Sequence, residues 1–186
     1  ILSADYTFQG VRRDGTIIEV EIHGSRMEVD GKGATIAVLL DITERRRAEQ
    51  RQQAASRYAR SLIEASLDPL VTISAAGKIT DVNQATVKVT GMPREMLVGT
   101  DFSDYFTEPH KARSGYREVF DKGFVTDYPL TIRHRDGRLT DVLYNATIYR
   151  NEAGELQGVF AAARDVTGRK RAEAAIRELN EALELR

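Results

Sequence analysis

The sequence predicts an α+β protein built on antiparallel sheet, and three observations carry that reading. Ile18, Val20 and Ile22 alternate with Glu19 and Glu21, and Asp-Gly pairs punctuate such runs, the pattern of hairpin-linked, half-buried strands. An apolar strand ending in Asp165-Val166-Thr167 runs straight into a basic, alanine-rich helix start. The chain also writes this stretch twice, as VLLDITERRRAE over Val38–Glu49 and as AAARDVTGRKRAE over Ala161–Glu173. The turns Arg13-Asp14-Gly15 and Arg135-Asp136-Gly137 recur at nearly the same offset, and the two-residue difference belongs in a turn. Two copies of one module are therefore expected, the first incomplete because the chain starts shortly before its Arg-Asp-Gly turn.

Composition bounds the function. The 186 residues suffice for one full domain and a fragment. A hydrophobic share of 41% supports a core, and a net charge of −1 gives no global field for nucleic acid or membrane. The absence of cysteine removes disulfides, thiolate nucleophiles and zinc-thiolate sites. No run approaches the roughly 18 apolar residues of a membrane span, and residues 1–15 lack a basic-then-apolar leader. The expectation is a cytoplasmic piece of a larger protein without direct membrane contact.

The first copy, 1–43, reads as strands over 6–13, around Ile18–Ile22 and from about Thr35 to Leu40, joined by turns at Asp14-Gly15 and Asp30-Gly31. Such a three-stranded meander is marginal alone, so upstream residues or a second chain are expected to cover Ile18, Val20 and Ile22. Thr43 suits the N-cap of a helix over 44–66. Ala48, Gln52, Ala55, Ala59, Leu62 and Ser66 form a weak heptad seam along it. This is either a solvated linker or a helix that pairs with its copy in a homodimer, and recurrence of the seam favours pairing.

The second copy, 67–167, opens with strands over Leu70–Ser74 and Lys78–Val82. Asn83 caps a short helix that Gly91 ends, Pro93–Leu97 and Asp101–Phe106 are further helical turns, and Glu108–Lys122 is the longest helix. Strands over about 125–134, 139–150 and 157–165 complete it. Strands clustered at both ends around helices indicate an antiparallel α+β domain. The stretch 168–186 is helical, with Ala172, Ile176, Leu179 and Leu183 as a stronger seam, and its pattern implies continuation in a parent protein.

These residues resemble a known family. The order of two strands, short helices and three strands resembles the PAS domain, as do Asn83, Gly91-Met92-Pro93, Glu95-Met96-Leu97-Val98-Gly99, the Arg135-Asp136-Gly137 hairpin and the closing Asp165-Val166-Thr167. The likeness covers a whole domain over about Arg57–Thr167 and a C-terminal half over Tyr6–Thr43. It implies a five-stranded antiparallel sheet with short helices on one face, used for sensing or dimerisation. It also implies that the seamed helix after Thr167 is a signalling helix into an output domain of the same chain. A histidine kinase of a two-component system is the leading output. The alternative is a diguanylate cyclase or transcriptional regulator, with the PAS module as a ligand-free interaction scaffold.

Alignment with the family also places the inward-facing residues: Leu130, Ile132, Val142, Tyr144, Ala146, Val159, Ala161 and Ala163 on the sheet, facing Phe102, Phe106 and Tyr116. The three alanines leave room for a small apolar ligand, unless the aromatics fill it. A flavin of the light-sensing subfamily is argued against. There is no cysteine for an adduct, and the ring-contacting positions align with Ile132, Val142 and Ala163, which cannot satisfy its polar edge. Haem is argued against because Val119–Gly123 holds no histidine. His110 reads as an exposed helix-start residue, His23 and His134 as surface residues, and their scatter gives no metal spacing. No nucleophile, phosphate loop or histidine–carboxylate pair at useful spacing suggests an enzyme. The basic triplets 45–47 and 169–171 are short and flanked by acids, so no nucleic-acid partner is expected.

The signal junction is expected at Asp41 and Thr43 in the first copy and at Asp165 and Thr167 in the second. Thr167 caps the helix in this reading, and Asp165 accepts from the helix-start amides or pairs with Arg169 or Lys170. A shift of the last strand then moves the helix pair.

Overall fold

The computed structural model describes residues 3–184, which divide into two compact units on either side of the Arg60–Ser61 bond. In the first unit, β1 (Ser3–Val11), β2 (Ile17–Val29) and β3 (Lys32–Asp41) form an antiparallel meander in that order. Arg12 and Arg13, expected at the end of β1, lie in the turn instead, because Arg12 N–H donates to Thr16 O at 2.8 Å and closes it. Asp30 and Gly31 both have positive φ, 50° and 74°, which suits the right-handed twist of a two-residue hairpin. Val20 is buried and Ile18 and Ile22 half-buried, while Tyr6 and Leu39, which pair with Ile22 in register, are exposed. Ile36, Val38 and Leu40, on the other face of β3, are exposed too, so apolar side chains lie on both faces of this sheet.

Helix α1 (Thr43–Ala65) starts at Thr43, and Ser66 lies beyond its end. None of its residues is buried, and Tyr58 and Leu62 are exposed. Its low apolar content leaves it no stripe to bury.

In the second unit, β4 (Leu70–Ser74), β5 (Ile79–Val82), β6 (Phe124–Arg133), β7 (Leu139–Arg150) and β8 (Leu156–Asp165) make one antiparallel five-stranded sheet, ordered β5-β4-β8-β7-β6. A five-stranded antiparallel sheet with helices on one face is what the resemblance implies, and the strand order is new here. Between β5 and β6 come α2 (Gln84–Thr90), α3 (Arg94–Leu97), a 3-10 turn (Phe102–Tyr105) and α4 (Pro109–Lys122). Asn83 Oδ1 accepts the Thr86 N–H at the start of α2, and Gly91 closes it with φ 70°. Helix α4 buries Ala112, Gly115, Tyr116 and Val119, one stripe at helical spacing. Gly115 allows close approach there: a Cβ would lie 2.9 Å from the Tyr128 ring of β6, which would have to shift.

All eight inward-facing sheet residues and Phe102, Phe106 and Tyr116 are buried in one core cluster. They alternate along β7 and β8, so one face is covered by the helices, as a two-layer α+β unit requires. Helix α5 (Thr167–Glu184) follows β8, with Ile176, Leu179 and Leu183 exposed. No described helix is long and apolar enough to cross a membrane.

Candidate functional site

An apolar cavity of about 40 Å³ lies between the sheet and the helices. Of the expected residues, Ile132, Tyr144, Ala161, Ala163, Phe102 and Phe106 line it. Leu130, Val142, Ala146, Val159 and Tyr116 pack in the same core without lining it. Its origin is visible in the register: Tyr144 lies opposite Ala163 and Ala146 opposite Ala161, so small side chains leave space beside a large one. The helix side of the lining, including Thr86, Val89 and Thr90 of α2 and Tyr105, was not legible, because only tertiary packing brings it over the alanines.

The polar side chains of the lining threonines and of Tyr105 are hydrogen-bonded within the protein. Thr86 Oγ1 donates to Leu70 O at 2.8 Å, Thr90 Oγ1 to Thr86 O at 2.7 Å, and Tyr105 Oη shares a hydrogen bond with Thr100 Oγ1 at 2.8 Å. The Tyr144 hydroxyl alone, among the buried side-chain polar atoms of the described residues, has no partner. Burial pushes its pKa up, so it remains a neutral donor. An orphaned buried hydroxyl costs about 1–3 kcal/mol. A flavin ring or a haem is far larger than this space. Ile132, Val142 and Ala163 give a flavin nothing to bond, and no histidine lines the cavity, so the residues present do not fit either group.

The junction keeps one expected feature, Asp165 on a helix-start amide, and gives Thr167 a different role. Thr167 is the first residue of α5, and Val166 O takes the first helical hydrogen bond, from Lys170 N–H at 2.9 Å. The side-chain cap is Asp165, whose Oδ1 accepts the Thr167 N–H at 2.8 Å. Thr167 Oγ1 instead accepts from the Asp141 N–H of β7 at 2.9 Å, and Val166 N–H donates to Asp141 O at 2.9 Å. Lys170 pairs with Asp141 at 3.3 Å rather than with Asp165, and Arg169 with Glu173 at 3.7 Å. One helical turn past Val166, Lys170 reaches the neighbouring strand instead of its own. The Thr131 hydroxyl, 2.9 Å away, and then Lys170 hold the Asp141 carboxyl below the usual carboxylate range.

The first copy repeats the core of this clamp. Asp41 Oδ1 accepts Thr43 N–H at 3.0 Å, Thr43 Oγ1 accepts Glu19 N–H at 2.9 Å, and Ile42 N–H donates to Glu19 O at 2.9 Å. Arg46 pairs with Glu19 at 3.9 Å, and the Thr43 hydroxyl holds the Asp41 carboxyl below its usual range. Thr43 is thus a strand clamp, not an N-cap. The sequence reading missed Glu19 and Asp141, yet each stands five residues after its hairpin aspartate, a signal the repeat contained.

His134, expected at the surface, has a side chain only 15% exposed, and its Nδ1 lies 2.6 Å from Asp136 Oδ1. The histidine–carboxylate pair that the sequence did not reveal therefore exists, formed within a hairpin turn. Among the described residues no group of three or more His, Asp and Glu side chains is placed to hold a metal.

A family model described as the PAS fold matches residues 57–166, and one described as a PAS domain matches residues 2–44. No curated protein matches the chain. Among solved structures, the PAS domain from a two-component sensor histidine kinase is 20% identical with a TM-score of 0.54, over 61% of this chain and 98% of that one. The PAS domain of an HTR-like protein from Haloarcula marismortui is 23% identical with a TM-score of 0.54, over 64% of this chain and 98% of that one. An RNA-binding light-oxygen-voltage receptor is 11% identical with a TM-score of 0.53, over 97% of this chain and 82% of that one. At these identities the likeness is one of fold. The family model spans more than half of the sequence, and the chain belongs to the PAS family of sensory and signalling domains.

Proposed function

We propose that this chain is a non-catalytic sensory and dimerisation module whose second copy relays a signal through α5 to an output domain of the same chain, with a two-component histidine kinase as the favoured output. The duplicated clamp carries this reading: in both copies the helix start is bonded to its own strand and to the adjacent one by the same set of hydrogen bonds. A helix held at two strands moves when those strands shift, which is what a bistable relay needs. The exposed seam of Ile176, Leu179 and Leu183 suits a second copy of α5, giving a cytoplasmic homodimer in this reading.

The test joins the chain, through α5, to a reporter kinase whose output depends on its PAS input. Asp165→Ala and Thr167→Val should each flatten the response while the sheet stays folded by circular dichroism. Regulation that survives both replacements removes the junction as the relay.

A second reading, an interaction scaffold without ligand, is favoured by how nearly the aromatics fill the core. Native mass spectrometry separates the two, since a small bound molecule belongs to the sensor only.

A further inference from the structure

Away from the interior cavity, the second unit carries an open groove of about 480 Å³ between the β4–β5 turn, helix α4 and the start of β8. Arg113, Tyr116, Arg117 and Phe120 share one face of α4 at helical spacing and all line it. Tyr116 and Phe120 form a wall, with ring centroids 5.0 Å apart at 71°, and Phe102 packs against Tyr116 at 4.9 Å. The Tyr116 hydroxyl donates to Ser74 O, which fixes the ring and spends its polar atom. The turn side is roomy, because Gly77, at φ +77°, has no atom within 4 Å of where a Cβ would stand. Leu156 adds an apolar rim.

Charge here is unbalanced. Asp101 lies 3.7 Å from Arg113 and 3.8 Å from Lys78, and its Oδ1 already accepts the Ser103 N–H at 3.1 Å and hydroxyl at 2.7 Å. Arg117 makes no ion pair or side-chain hydrogen bond among the described residues. Asp101 is thus engaged by two cations and by Ser103, and Arg117 adds a further positive charge to the groove lining. A guanidinium fork beside a carbon wall is complementary to a planar oxyanion with an apolar body, because each half of such a ligand meets its own kind of surface.

We propose that this groove binds a small organic acid, its carboxylate on Arg117 with Arg113 in support and its apolar body against Tyr116 and Phe120. The site is independent of the signalling reading and separate from the cavity that Tyr144 lines. The experiment titrates the full chain with phenylacetate and follows backbone amide shifts by NMR. Shifts should centre on Gly77, Arg117, Phe120 and Leu156. Arg117→Gln should weaken binding about ten-fold with an otherwise unchanged spectrum, the loss expected for a charge-assisted contact. Phenylacetamide, equal in shape but uncharged, should not bind, and equimolar inorganic phosphate should not displace the acid. Absence of binding at millimolar phenylacetate, equal affinity for the amide, or an undiminished Arg117→Gln variant overturns the proposal. So do displacement by phosphate and shifts centred on Ala161–Ala163, which would put the acid in the interior cavity.

Discussion

At the β6–β7 hairpin, Asp136 accepts the Arg138 backbone N–H at 3.0 Å and the Arg138 guanidinium at 3.0 Å, and lies against His134 Nδ1. The Arg138 hydrogen bonds, with His134 adding to them, hold its pKa at about 2, against 3.8 for the free side chain. A carboxyl whose folded pKa is depressed lends stability above its unfolded value and loses it as pH falls. The contribution of Asp136 should therefore fade between 3.8 and about 2. Urea midpoints followed through that window should fall less steeply for Asp136→Asn than for the wild type, and equal slopes would refute the assignment. The turn was legible from Arg-Asp-Gly. The fate of His134 was not, because its ring packs over Gly91 at the end of α2, where a Cβ would stand 2.3 Å from Nε2. No local pattern announces a contact between a hairpin and a helix C-terminus so far apart in sequence.

Asn83 shows the same gap between local and tertiary roles at the level of elements. The sequence identifies it as a cap, and it is one, yet its buried amide does more. Its Oδ1 also accepts Leu70 N–H of β4 at 2.9 Å, and its Nδ2 donates to Ile63 O of α1 at 3.2 Å and to Asp68 O at 3.0 Å. Nearby, Glu64 accepts Gln84 N–H at 2.7 Å and pairs with Arg94, which also pairs with Asp81 at 3.0 Å. Asn83→Ala should cost about 3 kcal/mol in denaturant unfolding, since it strands several buried groups at once. A loss below about 1 kcal/mol, the value of an ordinary cap, would reduce Asn83 to that role. Element types and their order follow from periodicity and from Gly and Asp turns, which act locally. Partners such as Asp141 for Lys170 depend on strand pairing, and only the repeat offered a way to them.

For the molecule as a whole, α5 leaves Ile176, Leu179 and Leu183 60–62% exposed, a seam that a second copy would cover. Leu179→Glu should shift sedimentation from dimer towards monomer at micromolar concentration while leaving the sheet's circular dichroism intact. An unchanged sedimentation profile would overturn the proposed pairing of α5. The antiparallel α+β class could be read from the chain, because strands and helices leave different periods, while the inner face of the sheet came from the resemblance to the family. The cavity could not, since its size depends on how α2 packs over Ala161 and Ala163. Sheet order gives that cavity a mechanical setting. Asn83 fastens the end of α1 to β4, Thr167 fastens α5 to β7, and β8 alone runs between those two strands. In the proposed relay, a molecule entering beside the alanines of β8 would act as a wedge between these two anchorages, so that one strand's displacement would reach both at once.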